Sequence, residues 1–135
     1  MKIAVTSVDE GLDAQTSQVF GRCRYFVFVE VEDGEIVDSQ VVENGAQNQR
    51  GGAGMAAAQA VGNQGAEALI TGAVGPNAFN VLDQLGIDVY QAQQTTVKEN
   101  IDLFSQDELE KITRATGGRG MGRGGGGGRG QGPNR

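Results

Sequence analysis

The chain contains no histidine and no tryptophan, one cysteine and two prolines. Without histidine it lacks the usual general base near neutral pH and the commonest nitrogen ligand for a metal. A single cysteine excludes an internal disulfide framework and fits a reducing compartment. It also cannot close a zinc or iron–sulfur site by itself, because such sites take about four ligands. Long apolar runs are missing too. Nothing approaches the roughly 20 residues of a membrane helix, and the apolar start Met1–Val5 is too short for the core of a signal peptide. A cytoplasmic protein with no membrane partner is expected.

What is present is distributed unevenly. The 135 residues suffice for one domain. Hydrophobic content is only 38%, but the deficit is local: eleven of the 23 glycines fall in the last nineteen residues. Residues 117–135 carry four arginines and no acid, so this tail is +4, and a whole-chain charge of −6 leaves the remainder at −10. An acidic body disfavours nucleic acid and anionic membranes. The tail is the one segment suited to RNA, although it lacks the aromatic residues that stack on bases. The expected organisation is a folded domain over 1–116 and a disordered Gly/Arg-rich extension over 117–135.

Along the domain, Lys2–Val8 reads as a strand and Asp9–Gln15 as a loop. Arg24–Glu32 is the clearest strand, with Tyr25, Val27, Val29 and Val31 on one face and Phe26 and Phe28 on the other. Asp33-Gly34 supplies a hairpin turn into Glu35–Glu43, where Val37 and Val41 share a face. Ala53–Asn63 is an alanine-rich helix with a stripe of Ala53, Ala57, Ala60 and Val61. Glu67–Thr71 has the continuous apolar character of a buried parallel strand. Pro76 opens a helix that Gly86 stops, and Ile87–Tyr90 is the last strand. Thr96 with Glu99 caps a third helix, and Ser105 with Glu108 predicts a helical restart carrying Leu109 and Ile112. The result is an α/β domain: a mixed five-stranded sheet flanked by helices, with its loops gathered at the edge where such sheets bind ligands.

Three features at that edge carry chemistry. Gly51-Gly52-Ala53-Gly54 opens a helix, where free N–H groups and the helix dipole suit an anion. The same glycines also serve a tight turn and close packing. Gly72–Asn77, with Gly75 capping and Asn77 in the first turn, is a second such start. Phe20-Gly21-Arg22-Cys23-Arg24 sets the lone cysteine between two arginines, whose charge favours a thiolate able to bind a soft metal. A small residue at a strand start explains Cys23 equally well. Asp9, Glu10 and Asp13 form an acidic loop that needs no metal to explain it.

Five motifs in order, Met1-Lys2-Ile3-Ala4-Val5, Phe20-Gly21-Arg22-x-x-Tyr25-Phe26, Gly51-Gly52-Ala53-Gly54, Gly72-x-x-Gly75-Pro76-Asn77-Ala78 and Leu85-Gly86-Ile87, resemble the dinitrogenase iron–molybdenum cofactor biosynthesis family. That family includes NifX, the NafY core and the NifB C-terminal domain, and the chain is most similar to its small stand-alone archaeal type over about residues 1–114. The resemblance implies a ribonuclease H-like fold and a non-catalytic carrier that binds an anionic iron–sulfur or iron–molybdenum cofactor precursor and passes it between donor and acceptor proteins. The cargo is expected at Phe20, Gly21, Arg22, Cys23, Arg24, Arg50, Gly51, Gly52, Gly54, Gly75 and Asn77, where the helix starts and arginines suit an anionic cluster and the Cys23 sulfur is the candidate iron ligand. Two positions depart from the pattern: Val19 stands where many cofactor-handling relatives have histidine, and Cys23 where alanine is common. The competing functions are a metal-dependent enzyme on the same scaffold, disfavoured because Lys2–Val8 offers no acid, and an interaction module working through the tail.

Overall fold

The structure, a computed structural model, describes residues 1–46 and 52–113. Arg50, Gly51 and the 117–135 tail therefore lie outside the described residues. Six strands, β1 (Lys2–Ser7), β2 (Tyr25–Glu32), β3 (Glu35–Glu43), β4 (Ala68–Thr71), β5 (Asp88–Gln91) and β6 (Lys111–Ile112), form one sheet in the order β3-β2-β1-β4-β5-β6. β1, β4 and β5 are parallel, whereas β1–β2, β2–β3 and β5–β6 pair antiparallel. Helices α1 (Ala53–Asn63), α2 (Pro76–Gln84) and α3 (Val97–Ser105) cover it.

Strand alternation splits the core in two. Phe26 and Phe28 bury on the side of Ala57, Val61 and Leu82, beneath α1 and α2. Val27, Val29 and Val31 bury on the other side with Val97 and Ile101 of α3. β4 lies between both layers and all four of its residues are buried, which accounts for its unbroken apolar run. Asp33 and Gly34 both take positive φ (54° and 80°), as a two-residue hairpin requires.

Four expectations are corrected. The sheet has six strands instead of five, and the Ser105–Glu108 restart does not form. α3 ends at Ser105, Asp107 adopts φ 61°, and the chain continues extended into β6. A helix would put Leu109 and Ile112 on one face; here they bury in opposite layers of the core, as an odd spacing along an extended chain demands. In β3, a bulge opposite Glu30/Val31 places Ile36, in place of Val37, across from Val31. Val37 is left 55% exposed. The α1 stripe is completed by buried Ala58, with Ala60 exposed.

Candidate functional site: two helix starts and the Phe20–Arg24 loop

The loop between β1 and β2 crosses the edge of the sheet and ties the other loops together. Ser17 N donates to Thr6 O (2.9 Å), Ala73 N to Gln18 O (2.8 Å), Phe20 N to Ala73 O (3.0 Å) and Thr16 N to Thr95 O (3.0 Å). The 92–96 segment is latched in turn by the fully buried Asn100, whose Oδ1 accepts from Gln93 N (2.8 Å) and whose Nδ2 donates to Thr96 O (2.9 Å). The loops at 9–23, 44–52, 72–77 and 92–95 are expected to converge here; those at 9–23, 72–77 and 92–95 do, and most of 44–52 lies outside the described residues.

Glycine makes this crossing close enough. A methyl at Gly21 would lie 2.8 Å from Gly54 Cα, and one at Gly54 would lie 3.1 Å from Ala78 Cβ. The Phe-Gly turn and the first turns of α1 and α2 therefore sit in direct contact. Gly21 and Gly54 serve this packing. Gly52, the N-cap of α1, is at φ 71°, a left-handed conformation that glycine adopts without strain. Gly75 differs: its φ is −74° and nothing lies within 4 Å of where a side chain would start. Neither α1 nor α2 has a side-chain cap or an acid in its first turn, whereas the Thr96 hydroxyl caps α3 by accepting from Glu99 N (3.1 Å). The positive ends of α1 and α2 are thus left uncompensated by the side chains of their own caps and first turns.

The Phe20–Arg24 residues divide between core and surface. Phe20 is buried, with its ring centroid 6.0 Å from that of Phe26. Cys23 is 2% exposed, while Arg22 and Arg24 are exposed and the Arg24 guanidinium stands 5.4 Å from the Tyr25 ring centroid. At Cys23 burial opposes the thiolate that the flanking charge favours. Burial pushes the thiol from 9.0 up to about 12, and a hydrogen bond from Asn44 offsets only part of this. The flanking guanidiniums are in solvent, where their charge is screened from the sulfur. A thiol whose folded pKa is raised stabilises the fold fully below pH 9.0, and that contribution is lost as pH climbs toward about 12. Stability measured by urea unfolding should therefore fall between these values, and the Cys23→Ala variant should lack this part of the fall.

Among the residues assigned from sequence, Arg22, Arg24, Gly52 and Asn77 are exposed at this edge, and Gly75 is half-buried there. The sequence reading missed Asn44, a buried residue at the end of β3 that bonds to Gly21 and Cys23. Nothing in the sequence distinguishes Asn44 from the other polar residues of its loop. The same holds for Asn100. Among the described residues, no three or more histidine, cysteine, aspartate or glutamate side chains group together to hold a metal ion. A cleft of about 250 Å³ lies off this edge, between α1 and the Glu43–Ala46 segment.

A family model described as dinitrogenase iron-molybdenum cofactor matches residues 1–107. The chain belongs to the dinitrogenase iron-molybdenum cofactor family. Among its relatives, an uncharacterized protein of Methanocaldococcus jannaschii is 43% identical over 112 residues, covering 83% of this chain and 92% of its own. The apo form of the orange protein from Desulfovibrio gigas superposes with a TM-score of 0.81 at 35% identity, over 86% of this chain and 96% of that one. A Thermotoga structure described as a candidate NifB protein gives a TM-score of 0.72 at 36% identity, over 85% and 96%. This family is one of dinitrogenase cofactor biosynthesis, which points to a cluster cofactor in general. No helix among the described residues is long and apolar enough to cross a membrane.

Proposed function

We propose that this protein is a non-catalytic, cytoplasmic carrier that takes an anionic iron–sulfur or iron–molybdenum cofactor precursor at the edge formed by α1, α2 and the Phe20–Arg24 loop, and passes it between donor and acceptor proteins. One observation carries the reading: two helix N-termini in contact, both lacking a side-chain cap and a first-turn acid, with Arg22 one residue beyond the Gly21–Gly54 contact. Such an arrangement offers backbone N–H groups and positive charge to an anion. The open space at Gly75 leaves room for a bulky ligand to approach the backbone.

The cargo supplies its own sulfide, so the protein need not supply a full ligand set, and family membership supports a cluster as the class of cargo. Arg22, Arg24, Gly52, Gly75 and Asn77 form the outward part of the site. Gly21, Gly54 and Phe20 set its shape, and Arg50 and Gly51 belong to the same proposal from sequence. Cys23 serves first as a packed thiol, and ligation of iron through its sulfur requires the surrounding loop to open. The first five strands run in the order β3-β2-β1-β4-β5 with β2 alone reversed, which supports the ribonuclease H-like label. Acid-dependent two-metal chemistry has no support on β1, whose C-terminal end carries Thr6 and Ser7.

Anaerobic gel filtration after incubation with extracted iron–molybdenum cofactor, with iron and molybdenum measured in each fraction, tests this. Both metals should co-elute with the protein and leave it when a competing acceptor is added. A metal-free protein peak would overturn the proposal.

A further inference from the structure

Asn44 is 2% exposed and makes its bonds to the loop that displays the arginines. Its Nδ2 donates to Gly21 O (3.1 Å) and Cys23 O (2.8 Å) and lies 3.7 Å from Cys23 Sγ. Its Oδ1 accepts from Ala46 N (3.0 Å), and its backbone N donates to Arg24 O (2.9 Å). One side chain thus joins the Phe20–Arg24 turn to the start of the loop that leads into α1. Within that turn the residues alternate, with the sulfur of Cys23 buried and Arg22 and Arg24 exposed.

We propose that Asn44 is a positioning residue that fixes this alternation, holding both guanidiniums outward for an anionic ligand and the Cys23 sulfur inward. An apolar residue of the same size would fill the space, yet it would leave two carbonyls without this donor and the Ala46 N–H without this acceptor. The turn would then relieve the loss by rotating its carbonyls toward water, which carries the sulfur and the guanidiniums with them. Asn44 therefore decides whether the site presents charge or thiol. The inference rests on the carrier reading only for what the displayed arginines bind; the orientation of Cys23 stands apart from it.

The test uses the full chain with Asn44→Ala and Asn44→Leu, the latter keeping roughly the size while removing both the donors and the acceptor for Ala46 N. The readouts are the rate of Cys23 modification by a disulfide reagent, the affinity for tetrathiomolybdate as a simple molybdenum–sulfur anion, and circular dichroism. With the dichroism unchanged, modification should accelerate about tenfold or more and affinity should fall by about tenfold, the scale of a lost buried hydrogen bond. Folded variants with wild-type rate and affinity would overturn the proposal. If neither variant folds, Asn44→Ser, which keeps one hydroxyl donor, should still show faster modification than wild type, and no acceleration would count against the idea. A wild type that binds no tetrathiomolybdate speaks against the carrier reading, while the modification rates still decide the role of Asn44.

Discussion

Gly72→Ala is expected to cost about 3 kcal/mol of stability, at the upper end of what overpacking usually costs, or to prevent folding. The added methyl would sit 2.4 Å from Gln18 O, 2.6 Å from its carbonyl carbon and 2.7 Å from its Cα. All three are backbone atoms, so no side chain can turn aside. The opposing segment is also pinned on both sides of the clash, by Ala73 N to Gln18 O and Phe20 N to Ala73 O, and by Ser17 N to Thr6 O. Gly75→Ala, three residues along, is the control. It meets nothing and its φ is already negative, so it should stay within about 0.5 kcal/mol of wild type. Urea midpoints for the two variants check the pair. Similar midpoints would show that the loop does not cross the sheet edge as tightly as described.

Asn77→Asp should move stability and binding in opposite directions. Asn77 is the second residue of α2, exposed in a first turn that contains no acid. A carboxylate there meets the positive end of the helix dipole and should stabilise the fold by roughly 0.5 kcal/mol. The same carboxylate faces the proposed cargo. Repulsion from a cluster of charge about −2 within a few ångströms should weaken binding at least tenfold, and raising salt should recover part of the loss. Asn77→Ala, which removes the amide but adds no charge, should lose much less affinity than the Asp variant. A stabilised Asp variant with undiminished affinity would move the cargo away from the start of α2.

Local chemistry made much of this fold legible in the sequence. The period-two pattern of Tyr25–Glu32, the Asp33-Gly34 turn, Pro76 at a helix start and the Thr96 cap each reflect forces acting within a few residues, and each is found as expected. The readings that failed depended on contacts remote in sequence. Ser105–Glu108 satisfies a capping pattern, but Leu109 and Ile112 gain burial in both layers of the core only if the chain is extended, and packing overrode local propensity. Val37 fell out of register because of a bulge that no local pattern announces. At the site, burial and local charge pull in opposite directions. Two arginines beside a cysteine suggest a thiolate, but charge in solvent counts for little against burial, and Cys23 is buried in a core cluster with Phe20 and Phe26. The glycines at Gly21 and Gly54 are the converse case. They suit an anion site, yet Gly21 already needs its lack of a side chain to approach the Gly54 backbone, and a side chain at Gly54 would crowd Ala78 Cβ.

The most direct test of the central claim is an anaerobic titration of a thiolate-capped iron–sulfur cluster into wild type and Cys23→Ala, followed by visible absorption. The account predicts saturable binding to both at similar affinity, because the helix starts and arginines hold the anion while the sulfur stays packed. No saturable binding by either protein would contradict it.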